Sequence, residues 1–218
     1  MRVVIVGAGG HGQVVADVLL CAARAGSGVE PIGYVDDDPA QTGQAFLGLP
    51  VVGRIESLSQ VPHDGVVVAI GDNATRRSIF NMLSARNERF VVARHPSAIV
   101  ADSVDIGPGT MICAGAIVNP GSIIGANVIL NTGCSIDHHN RIGDHVHIGP
   151  GVRTGGTVTV GEGTLVGIGA VVMPGRNVGA GSTVGAAALV QEDVPAATTV
   201  VGVPARPIGA SAFKRRHA

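Results

Sequence analysis

The stretch "SIDHHNRIGDHVHIGPG", residues 135–151, places Ile136, Ile142 and Ile148 six residues apart. Four of the chain's eight histidines, His138, His139, His145 and His147, fall among them. The six-residue step continues outward in both directions. From Val100 to Val190, fifteen of sixteen positions on this step are aliphatic, with no insertion, and only Thr154 breaks the row. Four residues after each aliphatic, from Ile106 onward, stands a usually small side chain such as Thr110, Ala116, Ser122 or Cys134; Asn140 and Arg176 are the exceptions. Glycine often follows the aliphatic directly, as at Gly107, Gly125, Gly143 and Gly155.

A helix period of 3.6 cannot generate this row, and a strand period of two does not explain the glycines. A hexapeptide β-helix accounts for both. Each hexad supplies one short strand and one turn, and three hexads close a triangular coil. The aliphatic points inward and stacks on its equivalent eighteen residues later. The glycines and Asn are expected at turns that need positive φ.

Composition agrees with a narrow, repetitive interior. The chain has 33 glycines and 12 prolines, yet 45% of its 218 residues are hydrophobic and only five are aromatic. The net charge of −1 gives no bulk field for nucleic acid or a membrane surface. "KRRH" at 214–217 reads as a solvated tail. Cys21, Cys113 and Cys134 lack metal or redox spacing and read as free thiols, with Cys134 in the core. "MRVVIVGAGG" has no signal-peptide core, and no apolar run reaches spanning length, so a cytoplasmic protein without membrane insertion is expected.

The first half has a different grammar. "RVVIV" (2–6) is a buried strand, "GAGGHG" (7–12) a glycine-rich turn, and "QVVADVLLCAARAG" a helix. Gly7, Gly9 and Gly12 satisfy G-x-G-x-x-G between strand and helix. A second strand, "PIGYVDDDP", brings Asp36 to the place of a ribose-binding acid. "GVVVAIGD" (65–72) is a third strand, "NATRRSIFNMLSARN" (73–87) a helix capped by Asn73 or Asp72, and "RFVVAR" (89–94) a fourth strand. A full dinucleotide domain needs two such halves, and residues 1–95 hold only one. A nucleotide-linked sugar therefore fits better than a nicotinamide dinucleotide. The organisation expected is an α/β half-Rossmann domain (1–95) that binds the sugar nucleotide, followed by a left-handed parallel β-helix with a C-terminal tail (96–218).

"VGAGGHGQVVADVL", "YVDDD", "AIGDNATRR", "HPSA", "LNTGCSIDHHNRIGDHVHIGPG" and "VGVPARP" together resemble one family. It is the hexapeptide-repeat acetyltransferases of the sialic acid O-acetyltransferase-like and nucleotide-aminosugar N-acetyltransferase group. The resemblance covers nearly the whole chain. It implies a homotrimer with active sites between subunits and acetyl-coenzyme A as the acetyl donor.

The histidines can be placed on the six-residue frame. His138 and His147 are nine residues apart, half a coil, so they belong to different faces of one chain; His139 and His145 also separate. Zinc ligands must converge to about 2 Å from one metal. No three of these rings do so within a subunit, and no metal site is expected. By resemblance, His138 is the general base and His147 contacts acetyl-coenzyme A. The resemblance also gives Gly156 N–H to the thioester carbonyl and Ile168 and Ala186 to the pantetheine groove. Gly9, Gly10 and His11 fall near the diphosphate, Asp36 and Asp37 near the base or ribose, and Asn73 on the following loop.

A histidine base suits proton removal from an attacking amine at neutral pH. The relatives usually carry Asp or Glu directly after it. Here that position is His139, leaving Asp137 or Asp144 to assist, or an unassisted base. The function expected is acetyl-coenzyme A-dependent N-acetylation of a UDP- or GDP-linked 4-amino-4,6-dideoxy sugar for surface glycans. O-acetylation of sialic acid-like sugars needs the same base and donor. A zinc hydratase of carbonic-anhydrase type would have no use for a nucleotide domain, and a non-enzymatic sugar-nucleotide sensor none for His138 and His147. One Asp pair does not select among UDP, GDP and CMP.

Overall fold

The computed structural model describes residues 1–209. Phe213, the basic run at 214–217 and its His217 lie outside the described residues.

The N-terminal part is a five-stranded sheet with a helix on each face. Its elements are β1 (Arg2–Val6), α1 (Gly10–Arg24), β2 (Glu30–Val35), β3 (Ala45–Phe46), β4 (Leu49–Gly53), β5 (Gly65–Val68) and α2 (Asn73–Ala85). The strand order is β3-β4-β2-β1-β5, parallel except for the β3–β4 hairpin. Successive strand side chains point to opposite faces. Val3 and Ile5 accordingly pack with Val15, Val18 and Leu19 of α1, while Val4 and Val6 pack with Leu58 and with Leu83 of α2. The strand order reverses at β1. The carboxyl ends of β1 and β5 therefore form the crevice where open α/β sheets bind ligands.

The expected fourth strand divides. Phe90 forms one bridge with Val66, whereas Ala93–Arg94 pair with Met111–Ile112 and open the β-helix. Val91 and Ala93 are buried in the cluster that joins the two parts, so the chain passes between them without a linker.

From there the chain winds as a left-handed parallel β-helix of two- and three-residue strands. Its first face runs from Ile99–Val100 to Leu189–Val190, and its second from Asp105–Ile106 to Asn177–Val178. The third begins at Ala93–Arg94 and ends with Thr199–Val201 and the antiparallel Arg206–Pro207. Coils pair at an eighteen-residue offset, as in Ser135↔Arg153 and Ile136↔Thr154, until the last, which pairs at sixteen (Thr183↔Thr199). The inward row is dry: Ile136 and Ile148 are fully buried and Ile142 is 2% exposed. Thr154 is buried too, and its Oγ1 accepts the Asp137 N–H at 3.3 Å.

The turn chemistry follows the sequence expectation in part. The left-handed position lies three residues after the inward aliphatic. It is Gly at 109, 115, 121, 133, 151, 163, 169, 175 and 181 and Asn at 127, as expected, but His139 (φ 57°), His145 (φ 59°), Thr157 (φ 57°) and Ala187 (φ 55°) take it too. Glycine directly after the aliphatic serves close stacking instead: a Cβ at Gly143 would stand 2.8 Å from Glu162 N on the next coil.

The N-terminal part docks on the third face. Met111 and Ile129 point outward from that face yet are fully buried among α1 residues. Each contributes about 1.5–3 kcal/mol by burial. The first and second faces stay open, with Ile99, Ile123 and Val171 exposed on them. No helix among the described residues is long and apolar enough to cross a membrane.

Candidate active site

His138 and His139 sit on the edge where the first face turns into the second. Their rings are nearly perpendicular, and the two Nδ1 atoms lie 3.0 Å apart. The backbone beneath is fixed from several sides. Thr157 N–H donates to His138 O at 2.9 Å, and His139 N–H donates to Pro120 O at 3.0 Å. The buried Asn140 amide donates to Asp137 O at 2.7 Å, His138 O at 3.2 Å and Gly155 O at 2.9 Å. Asn140 is thus part of the site's framework. Its only sequence signal was its break in the small-residue row.

Gly156 lies one coil beyond His138, as expected. A Cβ there would stand 2.5 Å from His138 Nε2. The absent side chain is what leaves room for the ring. Neither carboxylate offered as an assistant hydrogen-bonds that ring, though Asp137 is close enough to attract it electrostatically. Asp137 Oδ1 accepts from Asn119 Nδ2 at 2.9 Å and from the His138 backbone N–H at 2.8 Å. These bonds hold its carboxyl below the usual range. Asp144 Oδ1 accepts the Ala126 N–H at 2.7 Å, further round the coil.

His145 and His147 belong to the other side, under the docked N-terminal part. His145 Nδ1 accepts from Asn127 Nδ2 at 2.9 Å, and its ring meets Phe80 of α2 edge-on. Burial lowers its pKa. His147 lies on the third face. Its Nε2 accepts from Asn131 Nδ2 at 3.1 Å, which places the ring proton on Nδ1, facing Gly71 O at 3.3 Å. His11 stands 6.2 Å away, ring to ring, with a buried Nε2 that has no partner among the described residues. Beside them Arg76, fully buried, donates to the carbonyls of Asn127, His145, Ile70 and Gly71. It was read only as a helix residue.

Desolvation lowers the pKa of both His11 and His147 to about 4; His147 and Arg76 add repulsion at His11, and Arg76 at His147. Both pKa values lie below the ordinary 6.5, so between 6.5 and about 4 the unfolded chain binds protons that the folded chain refuses. The stability contribution is fully present above pH 6.5 and is lost as pH falls through about 4. A thermal melt series from about pH 7.5 to about pH 4.5 is expected to show a falling midpoint, and His11→Gln should flatten the fall. An equal decline in that variant would place the acid sensitivity elsewhere.

The glycine-rich turn has the form that receives a diphosphate. Gly9 caps α1 with no side-chain bond, and Cβ atoms built at Gly9 and Gly10 meet nothing within 4 Å. The exposed helix N-terminus presents free N–H groups and the positive end of the dipole. Gly12 is required because a Cβ there would collide with Gly7 O. Asp36 ties the turn together, its carboxylate accepting from Ala8 N at 2.7 Å and Asp38 N at 2.9 Å. Asp37 accepts the Ile55 N–H at 3.0 Å and is otherwise exposed. Asp72, not Asn73, caps α2. Asn73 instead bridges to Gly163 O at 2.9 Å and Thr164 O at 3.1 Å and accepts from Arg76, so its amide serves the seam.

A groove of about 1340 Å³ runs along the third face beside α2, lined by His147, Asn73, Arg77, Leu165 and Thr183. Ile168 and Ala186 lie on the edge between the third and first faces, and Ile168 is 58% exposed. The site residues therefore divide within one chain. His138 and Gly156 share one edge; His147, the groove and the nucleotide crevice share the third face; Ile168 and Ala186 share a third place.

The three cysteines are free; Cys113 and Cys134 are buried, and burial pushes both thiols up to about 12, which leaves them inert. Among the described residues, the four histidines join no group of three side chains placed to hold a metal ion. A mixed group of Asp17, Cys21 and His95 lies elsewhere, with the Arg24 guanidinium already 3.0 Å from Cys21 Sγ.

Residues 2–83 match the model of the PglD N-terminal domain family. UDP-N-acetylbacillosamine N-acetyltransferase of Bacillus subtilis is 37% identical over 116 residues, 52% of this chain and 51% of that protein. The chain thus spans about half the length of that curated relative. Among solved structures, a histidine-to-alanine variant of GDP-perosamine N-acetyltransferase from Caulobacter crescentus, in complex with CoA and GDP-perosamine, superposes with a TM-score of 0.88 at 38% identity, covering 96% of this chain and 97% of that one. The acetyltransferase domain of PglB from Neisseria gonorrhoeae, in complex with acetyl coenzyme A, gives 0.87 at 35% identity, covering 95% and 98%.

Proposed function

Because the chain belongs to the nucleotide-aminosugar N-acetyltransferase family of hexapeptide-repeat enzymes, we propose that it transfers acetyl from acetyl-coenzyme A to the amine of a nucleotide-linked amino sugar. The carrying observation is the pairing of an exposed, backbone-pinned His138 beneath Gly156 with a diphosphate-shaped turn in the same chain.

His138 Nε2 takes the proton that the sugar amine loses as its nitrogen attacks the thioester carbon. The same ring returns that proton to the sulfur as the C–S bond breaks. The Gly156 N–H faces the carbonyl oxygen where negative charge develops. Gly9, Gly10 and His11 receive the diphosphate, Asp36 and Asp37 border the base and ribose, and Asn73 fixes the loop that closes the crevice. His147, Ile168 and Ala186 hold the donor. Residues 1–95 thus supply sugar-nucleotide binding and 96–218 acetyl transfer.

One chain leaves these groups on separate sides of its prism, so a homotrimer completes each site. His138 of one copy meets the third face of its neighbour, and the exposed Ile99, Ile123 and Val171 mark the open faces for contact. A cytoplasmic enzyme preparing a precursor for surface glycans fits this chemistry.

The test is thiol release from acetyl-coenzyme A with a panel of UDP- and GDP-linked 4-amino sugars. Rapid release with one of them is expected and names the nucleotide. Release with hydroxyl sugars such as sialic acid, and with no amino sugar, would replace N-acetylation by O-acetylation.

A further inference from the structure

This inference rests on His138 being the base of acetyl transfer. We propose that His139 is a positioning residue for that base, its neutral imidazole taking the place a carboxylate holds in relatives. The observation is the 3.0 Å approach of His139 Nδ1 to His138 Nδ1.

Two Nδ1 atoms at that distance share a single proton. With a proton on each they repel, and with none two lone pairs face each other. When His138 carries the proton and His139 accepts it, His138 Nε2 keeps its lone pair and can act as a base. The arrangement survives the reaction: once Nε2 gains the amine's proton, His138 Nδ1–H still donates to His139. The reverse tautomer would place a proton on His138 Nε2 and disable it. In the productive form the free nitrogen is Nε2, the ring nitrogen nearer Gly156.

The corner is built to hold this pair. His139 occupies the left-handed turn position, where most side chains are strained and where His and Asn are enriched. Its ring packs against Gly121 on the preceding coil, with Nε2 3.0 Å from where a Cβ would be. Asp137 is the charged neighbour, already bound to Asn119 and the His138 N–H. The coil on one side presents Gly121, and the coil on the other Gly156 and Thr157, none of which titrates. A neutral acceptor orients the base without adding negative charge. The imidazolium formed during catalysis therefore gains less stabilisation from this partner than it would from a carboxylate.

Three variants test this in the full-length protein with acetyl-coenzyme A and the amino sugar found by thiol release. His139→Gly removes the acceptor and suits the left-handed backbone, so folding is preserved; a thermal melt checks it. Its kcat is expected to fall about 10–100-fold while both KM values change less than about twofold, the usual scale for an orienting partner. His139→Asn keeps an acceptor oxygen and the turn, and should recover most of the loss. His139→Glu restores the negative charge. The acid limb of its kcat/KM profile should move to higher pH by roughly one unit, because the opposite charge favours protonated His138.

His139→Gly with wild-type kcat and an unmoved acid limb overturns the proposal. So does His139→Asn as slow as His139→Gly, which would make the ring's bulk the relevant property. His138→Ala separates the two levels. If it stays active, the underlying acetyl-transfer assignment falls. If it is inactive while His139→Gly is normal, only the role of His139 falls.

Discussion

His138→Ala is expected to lower kcat for acetyl transfer by about 10²–10⁴-fold, the range a positioned general base supplies. Both KM values should stay close to wild type, because the groove and crevice supply the binding contacts while His138 serves the proton transfer. Stability should change by no more than about 0.5 kcal/mol, since the ring is exposed. The backbone bond from His138 N to Asp137 survives the substitution. The remaining rate should climb with pH as the free amine form of the sugar grows, whereas the wild-type rate levels off once the base is neutral. Steady-state kinetics across pH measure kcat, KM and the rate profile, and a thermal melt measures the stability. A kcat within about fivefold of wild type would remove His138 from the proton transfer, since a base is worth far more than that.

The second large effect concerns the seam. Arg76→Met should destabilise the protein by about 3–5 kcal/mol, as when one partner of a buried charged network is deleted. The Arg76 guanidinium is buried, and desolvation pulls its pKa down to about 10, so it stays protonated at neutral pH. It donates to Asn127 O at 3.1 Å, His145 O at 2.7 Å, Ile70 O at 3.0 Å and Asn73 Oδ1 at 2.8 Å. Methionine keeps much of the volume and abandons every one of those oxygens, at about 1–3 kcal/mol for each that stays dry. For a chain of this size the melting midpoint should fall by about 6–20 °C. Arg76→Lys should recover less than half, because one ammonium cannot span acceptors arranged for a fork. If Arg76→Met melts within about 2 °C of wild type, the docking rests on Met111 and Ile129 instead.

The β-helix was legible because its interior admits one kind of residue at one interval. Any polar side chain on the inward row would be buried without a partner, and Thr154 is tolerated only because its hydroxyl meets the Asp137 N–H. The corner positions were less legible. Gly121, Asn127, His139, His145 and Thr157 all take the same positive φ, so residue type there records what the corner touches as well as its backbone. His138 and Gly156 were paired correctly by the eighteen-residue offset. The His138–His139 contact has no sequence signal, because the residue that usually follows such a base is a carboxylate. Arg76 could not be recognised in "NATRRSIFNML", since its burial follows from docking on a face fifty residues further along. Asp36 and Asn73 read as ligand groups, yet each has a distant partner in the chain, Ala8 and Gly163, that only folding brings near.

The eighteen-residue offset, kept as far as Val190, also gives the molecule an address system. Within the helix, a residue's edge is set by its remainder on division by eighteen, so 138 and 156 fall on one line and 168 and 186 on another. Deleting one residue before the His138 corner would reassign every later side chain to a new line and turn the inward row outward. Insertion of a whole coil beyond it would leave each assignment intact and lengthen the prism. Such a molecule can change the reach of its groove in fixed increments while its reactive corner stays the same, and length becomes a variable independent of chemistry.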